Sequence, residues 1–66
     1  MAPYQQRVVT EEADLTAKVQ ALSAFLDGDT FKTLSENERR LLEEQYRYMV
    51  GYQLTLRQRI RLFEGT

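Results

Sequence analysis

Apolar residues recur at helical spacing through the first 26 residues. Their steps are mostly three, four or seven residues, so they lie on one face of a helix. The apolar positions are Tyr4, Val8, Leu15, Val19, Leu22, Phe25 and Leu26. Pro3 suits a first helical position, because its missing N–H would be unpaired there in any case. The pattern predicts an amphipathic helix from about residue 3 to residue 26, with one buried face.

A break follows at the dipeptide Asp27-Gly28, which is a turn signal. Gly28 can adopt the positive φ that often ends a helix. Phe31 and Leu34 are apolar, and we expect them to cover the end of the helix pair. The sequence therefore predicts a short connecting turn over residues 27–34.

A second helix is predicted from residue 36 to about residue 63. Ser35 and Glu38 form the S-x-x-E pattern of a capping box at its start, and Gly65 lies just past its end. Apolar residues occupy more than one of its faces. They form a heptad seam with two polar members (Leu42, Gln45, Met49, Tyr52, Leu56, Arg59, Phe63), a second set (Tyr46, Val50, Leu54) and a third set (Leu41, Tyr48, Leu62).

A helix that is apolar over several faces must bury several faces, and the first helix covers only one of them. A chain of 66 residues without disulfides also has a marginal core. We therefore predict an all-α fold: one domain over residues 1–66, a two-helix antiparallel hairpin that assembles into a helical-bundle homo-oligomer. Gly51, in the middle of the second helix, is either a tolerated defect costing about 1 kcal/mol or a point of close helix or ligand approach.

Composition removes several kinds of chemistry. The chain has no Cys and no His, which excludes disulfides, Cys/His zinc sites and Ser-His-Asp triads. Neighbouring carboxylates such as Glu43 and Glu44 point about 100° apart on a helix and form no catalytic dyad. We expect no enzyme activity, no catalytic residue, no metal and no cofactor. No apolar run approaches the roughly 20 residues of a membrane span, and the start lacks the apolar region of a signal peptide.

Arginine and tyrosine are the residue types that best suggest a ligand. Arginine pairs with phosphate and aromatic rings stack on bases. From residue 45 to residue 63 there is no acid, whereas four arginines are present: Arg47, Arg57, Arg59 and Arg61. This pattern is typical of a nucleotide pocket between chains, or of a solvated basic tail with tyrosines in the core. A net charge of -1 argues against duplex DNA.

Two other hypotheses remain open on these residues alone. A structural hairpin could dimerise into a four-helix bundle and bind a protein partner through Tyr46, Val50 and Leu54. Alternatively, Arg57, Arg59 and Arg61 could bind structured RNA, with a steep dependence on salt.

The whole-chain pattern resembles the helical hairpin shared by phage anti-CBASS sponge proteins and a related group of anti-Thoeris proteins. The matching features are Tyr4-x-x-Arg7-Val8, Leu15-x-x-Lys18-Val19, Arg40-Leu41-Leu42, Gln45, Met49, Tyr52, Leu56 and Arg59-Ile60. The likeness covers most of the chain.

The resemblance implies a sponge that acts in the cytoplasm of an infected cell. Such proteins assemble, often as hexamers, and sequester cyclic oligonucleotide signals without cleaving them. By similarity, Tyr4 would stack and Lys18 would pair with phosphate in a cyclic dinucleotide pocket between paired protomers, while Arg40 and Gln45 would meet a cyclic trinucleotide. The expected ligand-binding residues are Tyr4, Arg7, Lys18, Arg40, Gln45 and Arg47. The expected partners are further copies of the chain and cyclic di- or trinucleotides, with no membrane and no duplex DNA.

Overall fold

The chain folds into three helices in a computed structural model that describes residues 1–64, with the side chains of residues 1–63. The helices are α1 (Pro3–Leu26), α2 (Asp29–Lys32) and α3 (Glu36–Glu64). No strand occurs among the described residues, and the all-α prediction is confirmed. The connection differs from the expected plain turn because it contains the single helical turn α2. Gly65, the expected stop signal, lies outside the described residues.

Local capping interactions set the start of both long helices. The Ala2 N–H donates a hydrogen bond to Gln5 Oε1 at 2.8 Å, with Pro3 at the first position of α1. Ser35 Oγ accepts a hydrogen bond from the Glu38 N–H at 3.2 Å, as the capping pattern predicts for an N-cap serine. Backbone N–H groups at the start of a helix have no carbonyl acceptor within that helix, and each of these two bonds supplies one of them with a side-chain acceptor.

Gly28 does not adopt the positive φ expected of it. Its φ is -89° and its ψ is 170°, an extended conformation that places it as the N-cap of α2. Because α2 begins at the next residue, the chain needs an extended cap here and not a left-handed one. The Phe25 and Phe31 rings meet edge to face, with centroids 6.4 Å apart, at this end of the molecule.

Contacts along the molecule show that α1 and α3 lie side by side in opposite directions. At one end, the Tyr4 and Phe63 rings meet edge to face with centroids 5.9 Å apart. Nearer the middle, Arg57 Nε donates to Glu12 Oε1 at 2.9 Å. The resulting shape is a rod of 48 × 15 × 15 Å.

The core is a narrow line of side chains between α1 and α3. The buried apolar residues are Val8, Leu15, Val19 and Leu56. The partly buried residues packed against them are Tyr46, Met49, Val50, Ile60 and Phe63. The predicted apolar face of α1 is confirmed at its three central positions, whereas Tyr4 remains 51% exposed.

Three of the seven members of the heptad seam predicted on α3 do not pack against α1. Gln45, Tyr52 and Arg59 are exposed. Their places against α1 are taken by the residues one position later, which are Tyr46, Gln53 and Ile60. Both rows repeat every seven residues, so periodicity alone does not choose between them. The row that packs on α1 is the more apolar of the two, because it contains Tyr46 and Ile60 beside the buried Gln53.

The remaining apolar residues of α3 divide into covered and uncovered sets. Tyr46 and Val50 pack on the core and leave only Leu54 exposed, so the predicted partner-binding set Tyr46, Val50 and Leu54 is not one free surface. The described residues leave the third set uncovered, with exposures of 54% for Leu41, 66% for Tyr48 and 71% for Leu62.

Candidate functional site

An open groove runs along α1 where it borders α3. Arg7 and Lys18 line its two ends, and Glu11 and Asp14 lie between them. The spacing of four, three and four residues places all four side chains on one side of α1. The groove has a volume of about 360 Å³, which is within the range of small-molecule sites. Tyr52 of α3 forms part of its lining and supplies an aromatic ring.

The charges of this groove balance within one chain. Arg7 and Lys18 supply two positive charges, and Glu11 and Asp14 supply two negative charges. The cations are 11 positions apart, which corresponds to about 16 Å along a helix. The two cationic ends could therefore contact separate anionic groups of one ligand, with the carboxylates opposing any phosphate near the middle.

A more apolar hollow adjoins the groove on the same side of the molecule. It is lined by Leu41, Glu44, Gln45, Tyr48, Met49 and Tyr52, and its volume is about 480 Å³. Gln45 Nε2 donates to Met49 Sδ at 3.8 Å, which holds the amide against the helix. Because Tyr52 lines both the groove and the hollow, the two form one continuous surface.

Arg40 lies away from the groove, near the start of α3. It lines a separate hollow of about 410 Å³ with Glu36, Asn37, Arg39 and Glu43. Its guanidinium forms an ion pair with Glu44 at 3.2 Å, so its charge is partly balanced within the chain. An exposed pair of this kind is worth about 0–1 kcal/mol, and a phosphate could displace the carboxylate at little cost.

Arg47 and Tyr4 also have partners within the chain. The Arg47 guanidinium lies 5.3 Å from the centroid of the Tyr48 ring, a cation–π contact. Tyr4 packs on Phe63 and lines a hollow with Arg59. Tyr4 and Lys18 are 14 positions apart on α1, or about 21 Å. A single chain thus brings Arg7 and Lys18 to one groove and leaves Tyr4, Arg40 and Arg47 elsewhere.

Sequence reasoning missed two features of this side. Tyr52 was predicted as a member of the heptad seam and not as a residue of the α1 groove, whereas it lies 46% exposed at the edge of that groove. Glu11 and Asp14 were not expected to line a site. Their spacing with Arg7 and Lys18 was visible in the sequence and could have identified all four as one row.

A polar network joins the helices on the opposite side. Gln53, only 7% exposed, donates from Nε2 to Thr16 Oγ1 at 2.8 Å. The Thr16 hydroxyl donates to Glu12 Oε1 at 2.8 Å, and Arg57 Nε donates to the same oxygen. The Arg57 guanidinium and the Thr16 hydroxyl hold the pKa of the Glu12 carboxyl below its usual range. We assign this network to the packing of α1 on α3.

Metal chemistry has no evident site in the described part of the chain. Within residues 1–63 there is no group of three or more acidic, His or Cys side chains that could hold an ion. The described helices also include none that is long and apolar enough to cross a membrane.

Comparisons with known proteins place the chain among small phage proteins. It is 41% identical over 64 residues to an uncharacterized 7.5 kDa protein of Enterobacteria phage T4 from the denB-rIIB intergenic region. The match covers 97% of this chain and 100% of that relative. No solved structure matches it. The family model Sequestin matches residues 2–62, and the chain belongs to the Sequestin family.

Proposed function

We propose that this chain is a phage anti-defence sponge, which binds and sequesters cyclic oligonucleotide immune signals without cleaving them. The name of its family points to sequestration, and a phage relative matches it from end to end. Both agree with the resemblance to cyclic-oligonucleotide sponges seen in the sequence. Capture of this kind acts in the cytoplasm of the infected cell, where the signal is made.

The observation that carries the proposal is the groove formed by Arg7, Lys18 and Tyr52. Guanidinium and ammonium groups bind phosphate, and an exposed tyrosine ring stacks on a base. The two cations are too far apart for one phosphate but suit a ligand with two or more. A cyclic oligonucleotide has this combination of bases and repeated phosphates.

Self-association would place several cations around one ligand, which a single chain does not do. In a symmetric assembly each cation appears once per copy, so weak single contacts sum around one ligand. Arg40 and Gln45 lie on the outer surface of α3, where residues of several copies could converge on a cyclic trinucleotide. Tyr4 and Lys18, far apart in one chain, would then approach each other between two copies. A homo-oligomer, a hexamer included, is therefore part of the proposal.

A ligand-retention experiment tests the proposal. Purified protein is mixed with a panel of cyclic di- and trinucleotides, free ligand is removed, the protein is denatured, and the released molecules are identified by mass. We expect one species to be recovered intact. A cleaved product would contradict sequestration and indicate an enzyme. No retention at micromolar protein would contradict nucleotide binding.

Two variants locate the site. Lys18→Ala and Arg7→Ala should each reduce retention at least tenfold, because each removes a charged phosphate contact. Lys32→Ala is the matched control, since Lys32 is an exposed lysine of α2 that pairs with Asp29 at 3.7 Å and does not line the groove. Equal retention by all three variants would remove the groove from the binding site.

A protein-binding adaptor that forms a four-helix bundle is the second candidate. The hollow lined by Leu41, Tyr48 and Tyr52 favours it, because exposed apolar patches mark interaction sites. It predicts discrete association without nucleotide retention, and retention of an intact nucleotide would count against it.

A further inference from the structure

α3 carries two heptad rows that differ by one position. One row faces α1 and consists of Leu42, Met49, Leu56 and Phe63. The other consists of Leu41, Tyr48, Thr55 and Leu62, all of which are exposed. A row repeating every seven residues is the pattern that packs against another helix in a left-handed coil. The second row, which we name the outer row, has no helix against it within the described residues.

The surface area of the chain shows how much is left uncovered. Its accessible surface is 5038 Å², whereas a folded monomer of this mass exposes roughly 4,400 Å². The excess of about 600 Å² is comparable with the roughly 800 Å² that each partner buries in a standard interface. A pair of helices in contact along only one face leaves this excess, and one more helix along the outer row would remove most of it.

The outer row is self-complementary when α3 is laid antiparallel on a copy of itself. If a two-fold axis passes between Gly51 and Tyr52, residues whose numbers sum to 103 face each other. The facing pairs are Leu41 with Leu62, Glu44 with Arg59, Tyr48 with Thr55, and Gly51 with Tyr52 of the second copy. Apolar therefore meets apolar, acid meets base, and each tyrosine meets a small residue.

We propose that the outer row of α3 binds the outer row of a second copy in this antiparallel register. Such an interface is isologous, so every pair occurs twice. This inference specifies the interface through which the copies in the proposed function associate. It rests on the proposed function for self-association alone. Nucleotide binding is not needed for the pairing.

Gly51 supports this register independently. A methyl group added at Gly51 would meet nothing within 4 Å in the chain, and the backbone there has no positive φ. Neither local packing nor conformation requires glycine, although it costs about 1 kcal/mol relative to alanine in a helix. In the proposed pair Gly51 lies under the Tyr52 ring of the second copy, where a side chain would hold the helices apart.

The pairing also completes the groove. Tyr52 lines the groove beside Lys18 and lies next to the proposed axis. A second copy packed there would cover the apolar hollow and place its own Tyr48 and Tyr52 near the groove entrance. The two grooves of a dimer would then lie on either side of one tyrosine cluster.

A charge-reversal series tests the register by sedimentation without nucleotide. Glu44→Arg and Arg59→Glu should each weaken association about tenfold or more, because each turns two attractive pairs into repulsive ones. Glu44→Arg also removes the ion pair of Glu44 with Arg40 within the chain, whereas Arg59→Glu leaves it intact and reports on the proposed interface alone. The double variant should restore association, since both pairs become attractive again. Glu43→Arg and Arg61→Glu are matched controls on the other side of α3 and should associate as the unmodified chain does.

Three outcomes would overturn the proposal. They are a monomer at several hundred micromolar, an assembly with an odd number of copies, or a double variant no better than the single ones. Circular dichroism of each variant excludes loss of folding as the cause. Loss of nucleotide retention with association intact would instead contradict the proposed ligand and leave this interface standing.

A cysteine variant gives a second readout, because the chain has no native cysteine. Tyr52→Cys places a thiol beside the proposed axis, leaves Gly51 unchanged and should form a disulfide-linked dimer on mild oxidation. Leu54→Cys, on another side of α3, should remain unlinked. The reverse result would contradict the register.

Discussion

Replacing Leu56 with alanine should destabilise the fold by about 2–3 kcal/mol. Leu56 is 1% exposed and is the most deeply buried large side chain of the described core. Buried Leu→Ala changes cost about 2–5 kcal/mol in well-packed proteins. We expect the lower part of that range, because only two long helices surround the site and can partly close the cavity. A chain of this size has about 3–10 kcal/mol of stability in total, so the loss is a large share.

The assay is urea unfolding followed by circular dichroism at one fixed protein concentration, since self-association makes stability depend on concentration. Leu54→Ala is the control: the same chemical change two residues earlier in α3, at a side chain that is 50% exposed. It should cost about 0.5 kcal/mol or less. Equal losses in the two variants would refute the packing of Leu56 against α1.

Three further predictions follow from the caps, the polar network and the proposed pairing. Ser35→Ala should lower the free energy of unfolding by about 1 kcal/mol in the same urea assay, because the Glu38 N–H loses its acceptor; no change would contradict the cap. Glu12 has a lowered pKa in the folded chain, so its stabilising contribution is present above its ordinary value of 4.5 and is lost as pH falls through the lowered value. Glu12→Gln should therefore show a smaller loss of stability on acidification than the unmodified chain, measured as urea midpoints at neutral and acid pH. If ligand binds more tightly to the pair than to one chain, saturating cyclic nucleotide should lower the dimer dissociation constant, and sedimentation with and without nucleotide measures the shift.

Local signals in the sequence predict the two long helices. They do not predict which face of α3 is buried. Proline at the start of α1 and the serine cap of α3 act within one helical turn, so the sequence contains all the information they need. The orientation of α3 depends on which of two seven-residue rows meets α1. The row that meets α1 contains Gln53, whose buried amide donates to Thr16, and that pairing is not visible in the sequence until both helices are placed.

The candidate site was predictable only where its residues share one helix. Arg7 and Lys18 lie on the same side of α1 by spacing alone, and the structure places both on one groove. Tyr52 comes from α3, and its position depends on the same choice of row. Once Gln53 faces α1, Tyr52 turns outward to the edge of the groove. Tyr4 and Lys18 would meet only between copies, so the structure of one chain does not show how close they come in an assembly.

The distribution of charge along α3 has a structural explanation in the proposed pairing. Residues 36–44 carry four acids together with Arg39 and Arg40, whereas residues 45–63 carry four arginines and no acid. In an antiparallel pair the acidic part of one α3 lies beside the arginine-rich part of the other. Arg57 is already bound to Glu12 within the chain, and Arg59 would face Glu44 of the second copy.

Two of the arginines that first suggested a nucleotide-binding tail, Arg57 and Arg59, would then be engaged in holding helices together. The cations of α1 become the better candidates for phosphate, because Arg7 and Lys18 line an open groove and do not hold α1 to α3. In the proposed assembly the local charge around the ligand, and not the net charge of -1, would decide whether an anion binds. The side chains of α1 would set that local charge, and α3 would build the assembly.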